Sequence, residues 1–189
     1  MPKVAGVDLS ASPRRRTGVA VLTAQRGRHE LVELTTVHGS VDDIASLILS
    51  HAPSLVVIDA PVTPPPRGRG FRLAELAAMR LGARLLPLTL PSMQALLRRG
   101  VRLRQLLDVV AEVAETHPRS ALRVSGCGAA ELLKLLNIEA PPGAGKDEVD
   151  ALLAAAVGAG LMEGYAISLG PDTFLLLPQP GLCRQRKKA

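Results

Sequence analysis

The stretch Gly145-Lys146-Asp147-Glu148-Val149-Asp150-Ala151-Leu152-Leu153 constrains the fold more than any other part of the chain. Apolar residues recur at Val149, Leu152, Leu153, Ala156, Val157, Gly160 and Leu161. That is the i, i+3, i+4, i+7 spacing of a helix face pressed on a core. Asp147 and Asp150 are three apart and share one side of the first turn. Two carboxylates so placed repel unless a cation lies between them, or unless solvent and helix N–H groups relieve them. One reading makes them helix starters, with Asp147 as N-cap and Asp150 at the third helical position, where the dipole favours it. The other makes them ligands. On this stretch alone, capping is the commoner use of such a pair, and the rest of the chain shifts the balance.

Lys3 to Leu9 and Thr17 to Ala24 read as strands, joined by a turn that carries Arg14, Arg15 and Arg16. Arg28 to Val37 alternates apolar and polar residues, as a strand with one solvated face does. Short turns join these three strands, so an antiparallel meander is expected. Ser40 is a suitable N-cap for a helix over 41–50, with Asp42 and Asp43 in its first turn. Leu55-Val-Val-Ile-Asp59 is a continuous apolar run ending in an acid, the pattern of a parallel central strand. The Pro- and Gly-rich run 60–70 leaves its carboxyl end as a loop, the edge where open α/β sheets bind ligands. Helices are expected over 73–81, 92–99 and 102–110, forming an arginine-studded insertion. Glu112-Val-Ala-Glu-Thr-His-Pro118 reads as a further strand that ends in polar residues and is stopped by Pro118. A helix near 128–136 follows, and a terminal hairpin pairs 166–168 with 173–177. The domain is expected to span 1–183, with the insertion at 60–108 and a basic tail at 184–189.

Acids then recur at the ends of apolar segments: Asp8, Asp59, Glu115, Asp147 and Asp150. A lone acid at a strand end is usually a turn former. That explanation fits Asp8 poorly, because it sits inside an apolar strand pattern and needs a partner. Carboxylates from two adjacent strands and one helix can converge on divalent cations, which activate a water and stabilise the leaving oxygen of a phosphodiester. Magnesium accepts such a set, completed by waters and substrate oxygens.

The charge balance agrees with an anionic partner. Net charge is +6, and arginine supplies 18 of the 23 basic residues. Arginine favours bidentate phosphate contact, although an arginine-preferring composition alone gives the same count. Phe71, Tyr165 and Phe174 are the only aromatic residues, which argues against a single-strand stacking platform. Cys127 and Cys183 lie far apart without a Cys-x-x-Cys pair, so a zinc ribbon is excluded and nothing in the spacing calls for a disulfide. With no long uncharged apolar run and no signal-peptide pattern, a soluble, cytoplasmic chain without a membrane partner is expected.

Val7-Asp8-Leu9-Ser10 followed by Thr17-Gly18-Val19-Ala20 resembles the opening hairpin of ribonuclease-H-like folds. Asp147-Glu-Val-Asp150-Ala-Leu resembles the Asp-x-x-Asp-Ala-Leu helix of Holliday-junction resolvases in that superfamily. The nearer resemblance is to domain of unknown function family 429, predicted ribonuclease-H-like nucleases. Its marks here are Ile58-Asp-Ala-Pro61, the arginine-rich run 72–87, Glu115-Thr-His-Pro-Arg-Ser120 and Lys146-Asp-Glu-Val-Asp150-Ala-Leu. The resemblance covers nearly the whole chain. It implies an α/β fold: a ribonuclease-H-like mixed five-stranded sheet in the order 3-2-1-4-5, flanked by helices and carrying a helical insertion. It further implies Mg2+ or Mn2+ held by Asp8, Asp59, Asp147 and Asp150, and hydrolysis of a phosphodiester by water. Glu115 matches only the nearer family's motif, as a fifth ligand or a supporting residue. His117 is either a proton relay or a packed, hydrogen-bonded histidine. DNA or RNA would be met by Arg14, Arg15, Arg16, Arg67, Arg69, Arg72 and Arg119.

Three functions are thus in view. The first is a metal-dependent nuclease for structured or double-stranded nucleic acid. The second is a catalytically silent nucleic-acid-binding protein of the same fold. The third is a nucleotide-dependent phosphotransferase, for which Gly126-Cys-Gly128 and Gly143-Ala-Gly145 are meagre phosphate loops. Cutting a junction would need a two-fold homodimer, and no sequence feature demands one.

Overall fold

The computed structural model describes residues 1–25, 27–177 and 183. The expected tail at 184–189 lies outside the described residues. One mixed sheet runs through the molecule in the order β3-β2-β1-β4-β5-β7-β6. Strands β1 (Lys3–Asp8), β2 (Thr17–Gln25) and β3 (Arg28–Val37) form the antiparallel meander. Strands β4 (Leu55–Ile58) and β5 (Glu112–Thr116) extend it in parallel beside β1. The expected five strands therefore stand in the expected order. The sheet is nevertheless seven-stranded, because the terminal hairpin of β6 (Ala166–Ser168) and β7 (Thr173–Leu176) docks on β5. That addition covers the β5 edge, which would otherwise expose unpaired backbone groups.

Helices cover both faces. Helix α1 (Val41–Ser50) begins at Ser40, whose hydroxyl accepts from the Asp43 N–H, while the Asp43 carboxylate accepts from the Ser40 N–H at 2.8 Å. It packs beside α3 (Pro91–Leu107) on the face formed by Ala5, Val7, Val19, Val21, Val56 and Ile58. Two helices were expected where α3 runs unbroken. Gly100 does not end it, because a side chain there would strike the Pro61 carbonyl oxygen at 2.3 Å. The glycine thus serves packing against the β4 loop. Helix α2 (Leu73–Arg80) precedes α3 in the same connection.

The opposite face carries α4 (Pro118–Ser125), α5 (Ala129–Lys134) and α6 (Lys146–Glu163). Helix α4 was not anticipated, since Pro118 reads in sequence as a strand stop. Proline at the first helical position and a left-handed Gly126 after the last one are its signals. Cys127 and Cys183 form a disulfide, a pairing the sequence spacing gave no reason to expect. Among the described residues no helix is long and apolar enough to cross a membrane.

Helix α6 lies directly on the sheet, and two glycines permit it. A side chain at Gly6 would meet the Ala155 amide nitrogen at 2.1 Å and the Ala151 carbonyl oxygen at 2.2 Å. One at Gly18 would meet the Asp147 carbonyl oxygen at 2.0 Å. Helix residues Ala151, Ala154, Ala155 and Ala159 are fully buried and small, so backbone approaches backbone. Gly6→Val should therefore lose on the order of 3 kcal/mol of stability or fail to fold, since the contacted atoms are backbone and cannot give way. Urea unfolding measures this, and a loss below about 1 kcal/mol would contradict the close seating.

Candidate active site

Period two along the strands sets the direction of the acids. Val4, Gly6 and Val57 face α6, with Val4 and Val57 near Gly158. Asp8 lies two residues beyond Gly6, and Asp59 two beyond Val57, so both stand on that same face. Asp8 pairs with Gly18 across the meander, and Val7 pairs with Ile58, which sets Asp59 beside Asp8 at the carboxyl ends of β1 and β4. The Asp59 amide donates to the Val7 carbonyl at 2.7 Å. Because α6 rests on Gly6 and Gly18, its first turn arrives at this rim with Asp147 and Asp150.

The two aspartates are not cap residues. Gly145 occupies the N-cap, and the Glu148 carboxylate accepts from its N–H at 2.6 Å. The capping reading is corrected accordingly: Glu148 performs that task. Asp150 is buried beside two cations, Lys146 Nζ at 3.6 Å and Arg119 Nε at 3.7 Å from its Oδ2. Asp147 lies 3.8 Å from Arg16 Nε.

The four carboxylates feel one another. Asp8 is pushed up to about 6, first by burial and then by the charges of Asp150 and Asp147, while Lys146 and Arg119 pull the other way. Asp59 is pushed up to about 7. Burial is again the main cause, countered by His117 and reinforced by Asp8 and Asp150. No three of the four carboxylates come within 4.8 Å of one another. They form an open crescent of hard oxygens held apart by repulsion, with exposed Lys146 and Arg119 as the nearest compensating charge.

Behind Asp59 lies a second, closed acid system. Glu115 is fully buried, and its carboxylate accepts from the Val62 N–H at 2.9 Å and from Arg72 Nη1 at 2.9 Å. Arg72 Nη2 binds Glu115 and Glu75, and Arg72 Nη1 donates to Thr63 Oγ1 at 2.8 Å. Burial raises the Glu115 carboxyl, but His117 and Arg72 outweigh it and hold it below the usual glutamate range. His117 bridges the two systems, with Nε2 3.2 Å from Glu115 Oε1 and Nδ1 3.9 Å from Asp59 Oδ1. The Nε2 contact is an ion pair without hydrogen-bond alignment. Burial lowers the imidazole pKa, yet Glu115 foremost, with Asp59 and Glu75, raises it above the ordinary value.

The sequence residues therefore divide. The charges of Asp8, Asp59, Asp147 and Asp150 act on one another at the sheet rim, with no three of their ligand atoms within 4.8 Å. Glu115, Glu75 and His117 bring ligand atoms together, but the guanidinium of Arg72 already occupies that group. Arg72 is buried within it, so the expected contact with nucleic acid is not open to this residue. Arg14, Arg15, Arg16, Arg67, Arg69 and Arg119 are exposed. Glu75 was missed; its signal was Arg72 three residues before it at a helix start. Gly126 and Gly145 serve as helix caps.

Two cavities flank the crescent. One, of about 470 Å3, is lined by Asp8, Asp147, His38, Lys146 and the arginines of the β1–β2 turn. The other, of about 400 Å3, lies beyond Asp59 and His117.

No family model and no curated protein sequence matches the chain. Solved structures do. Thermus thermophilus RuvC aligns with a TM-score of 0.51 at 14% identity, over 86% of this chain and 96% of that one. T. thermophilus RuvC in complex with a Holliday junction substrate aligns with a TM-score of 0.53 at 14% identity, over 87% and 97%. The fold is ribonuclease-H-like. The expectation of family 429 has no matching family model behind it, whereas the expected fold is the one found.

The pKa directions give a test of the crescent. Asp8 and Asp59 hold their protons more tightly in the folded chain than at the ordinary value of 3.8. Between pH 4 and about 7 the native state therefore binds more protons than the unfolded one, and stability falls as pH rises. Without metal, the protein should melt at a higher temperature at pH 5 than at pH 8, by on the order of 2 kcal/mol after solvent screening. Asp59→Asn should flatten much of that slope. Conversely, Glu115→Gln removes a charge that buried Arg72 depends on and should cost about 3–5 kcal/mol in a denaturant melt.

Proposed function

We propose that the protein is a divalent-metal-dependent nuclease that hydrolyses phosphodiester bonds in structured nucleic acid. The observation that carries the reading is the convergence of four aspartates, from two adjacent strands and one helix, at the carboxyl rim of the sheet. None of the four is needed for capping, and two are driven up in pKa by burial and by one another. Such a group is expensive to maintain for structure alone.

The donor set fits Mg2+ or Mn2+: all oxygens, open to one side, and crowded with negative charge. Asp8, Asp59, Asp147 and Asp150 would hold the ions, which supply an activated water and neutralise the leaving oxygen when bound. The chain's own residues do the rest. Arg16 and Lys146 on one flank and Arg119 on the other offer donors to the phosphates on either side of the cut. Arg72 and Glu115 fix His117, and His117 in turn limits where the Asp59 carboxylate can swing. The aligned RuvC structure in complex with a Holliday junction substrate makes branched DNA the first substrate to try.

Asp8→Asn and Asp150→Asn should each reduce cleavage of a four-way junction in Mn2+ at least a thousandfold, with the circular dichroism spectrum unchanged. Full activity in both variants would remove the reading. Steeply salt-dependent binding without turnover on junction, duplex, flap and RNA hairpin would instead favour the silent binding protein.

A further inference from the structure

The cavity beyond Asp59 and His117 is unlike the polar one on the other flank. Its wall is aliphatic, made by Leu85, Leu86, Leu88 and Met93 from the insertion between β4 and β5. Its polar lining includes Asp59, Glu75, His117 and Arg123, and Asp59 joins it to the crescent. Arg84 and Arg119 line it and are exposed to solvent. Ser120, only 4% exposed, also lines it.

This combination is not that of a track for phosphates alone. A phosphate gains nothing from four aliphatic side chains, and an apolar metabolite gains nothing from two arginines. A nucleotide satisfies both: the base buries its faces against the leucines and Met93, and its phosphate meets Arg84 and Arg119. The volume of about 400 Å3 lies in the range of small-ligand pockets, about 300–1,000 Å3. The chain has only three aromatic residues and none of them lines this cavity, so a base would be gripped by aliphatic side chains instead of ring stacking. The Ser120 hydroxyl then offers one hydrogen bond to a base edge.

We infer that this cavity is a subsite for one unstacked nucleotide of the nucleic-acid substrate, adjacent to the phosphodiester at the aspartate crescent. The inference rests on the nuclease reading for the position of the cut, but the pocket can be tested without cleavage. A base inside an intact duplex cannot enter without unstacking, which costs a few kcal/mol. An unpaired nucleotide at a branch, bulge or single-stranded end enters at little cost. The subsite would thus select interrupted helices over continuous ones, whatever their sequence.

Binding is measured in EDTA on three DNA duplexes: fully paired, with a one-nucleotide bulge, and with an abasic residue at the bulge. The wild-type chain should bind the base-containing bulge at least tenfold more tightly than the other two. Met93→Ala and Leu86→Ala cut back the aliphatic wall and should each reduce that preference while leaving affinity for the paired duplex within twofold. Leu86 is 58% exposed, so its variant folds even if Met93→Ala does not. Equal affinity for base-containing and abasic bulges would overturn the subsite. So would a free nucleoside monophosphate that competes as strongly as the bulged duplex, since the occupant would then be a small molecule. The same duplexes are then incubated with Mn2+. A preference for the bulge, with no cleavage of these duplexes or of a four-way junction, would sustain the subsite and defeat the nuclease reading; cleavage indifferent to the base would do the reverse.

Discussion

Everything at the rim depends on backbone meeting backbone where α6 crosses β1 and β2. Gly6 and Gly18 leave no side chains between helix and sheet, and the helix answers with alanines. A helix standing off on ordinary side chains would sit higher above the sheet, and its first-turn carboxylates would be carried away from Asp8. The catalytic geometry proposed here is therefore a by-product of close packing in the core, fixed several residues away from any charged group.

The acids around this rim are handled in two opposite ways. Glu75 and Glu115 are neutralised internally, by Arg72 and His117, with their oxygens bonded to protein donors. Asp8, Asp59, Asp147 and Asp150 are left under-compensated, facing exposed Lys146, Arg16 and Arg119. The first arrangement is rigid and closed to an incoming ion. The second gains most when an external cation arrives. His117 lies between them and transmits the rigidity of the buried network to Asp59, whose carboxyl burial pushes up to about 7.

Much of this was legible in the sequence where local chemistry decides. The meander, the central strand just before Asp59 and the helix from Ser40 follow from periodicity and capping. What was not legible is long-range. Nothing local says that Arg72 points inward; only the distant Glu115 makes its burial tolerable. Gly100 reads as a helix breaker because its reason, the carbonyl of Pro61, lies 39 residues away. The disulfide between Cys127 and Cys183 and the docking of the last hairpin on β5 likewise depend on partners brought near only by the finished fold.

The division of labour at the start of α6 has a consequence for how such a protein changes over time. Glu148, which lies between the two aspartates, caps the helix end through the Gly145 N–H. On the proposed nuclease reading, a lineage that exchanged either aspartate for a neutral residue would lose the chemistry in a single step and keep an intact molecule. Silent descendants that still grip nucleic acid would then arise readily, and a matching silhouette between two such chains would say little about whether both still cut.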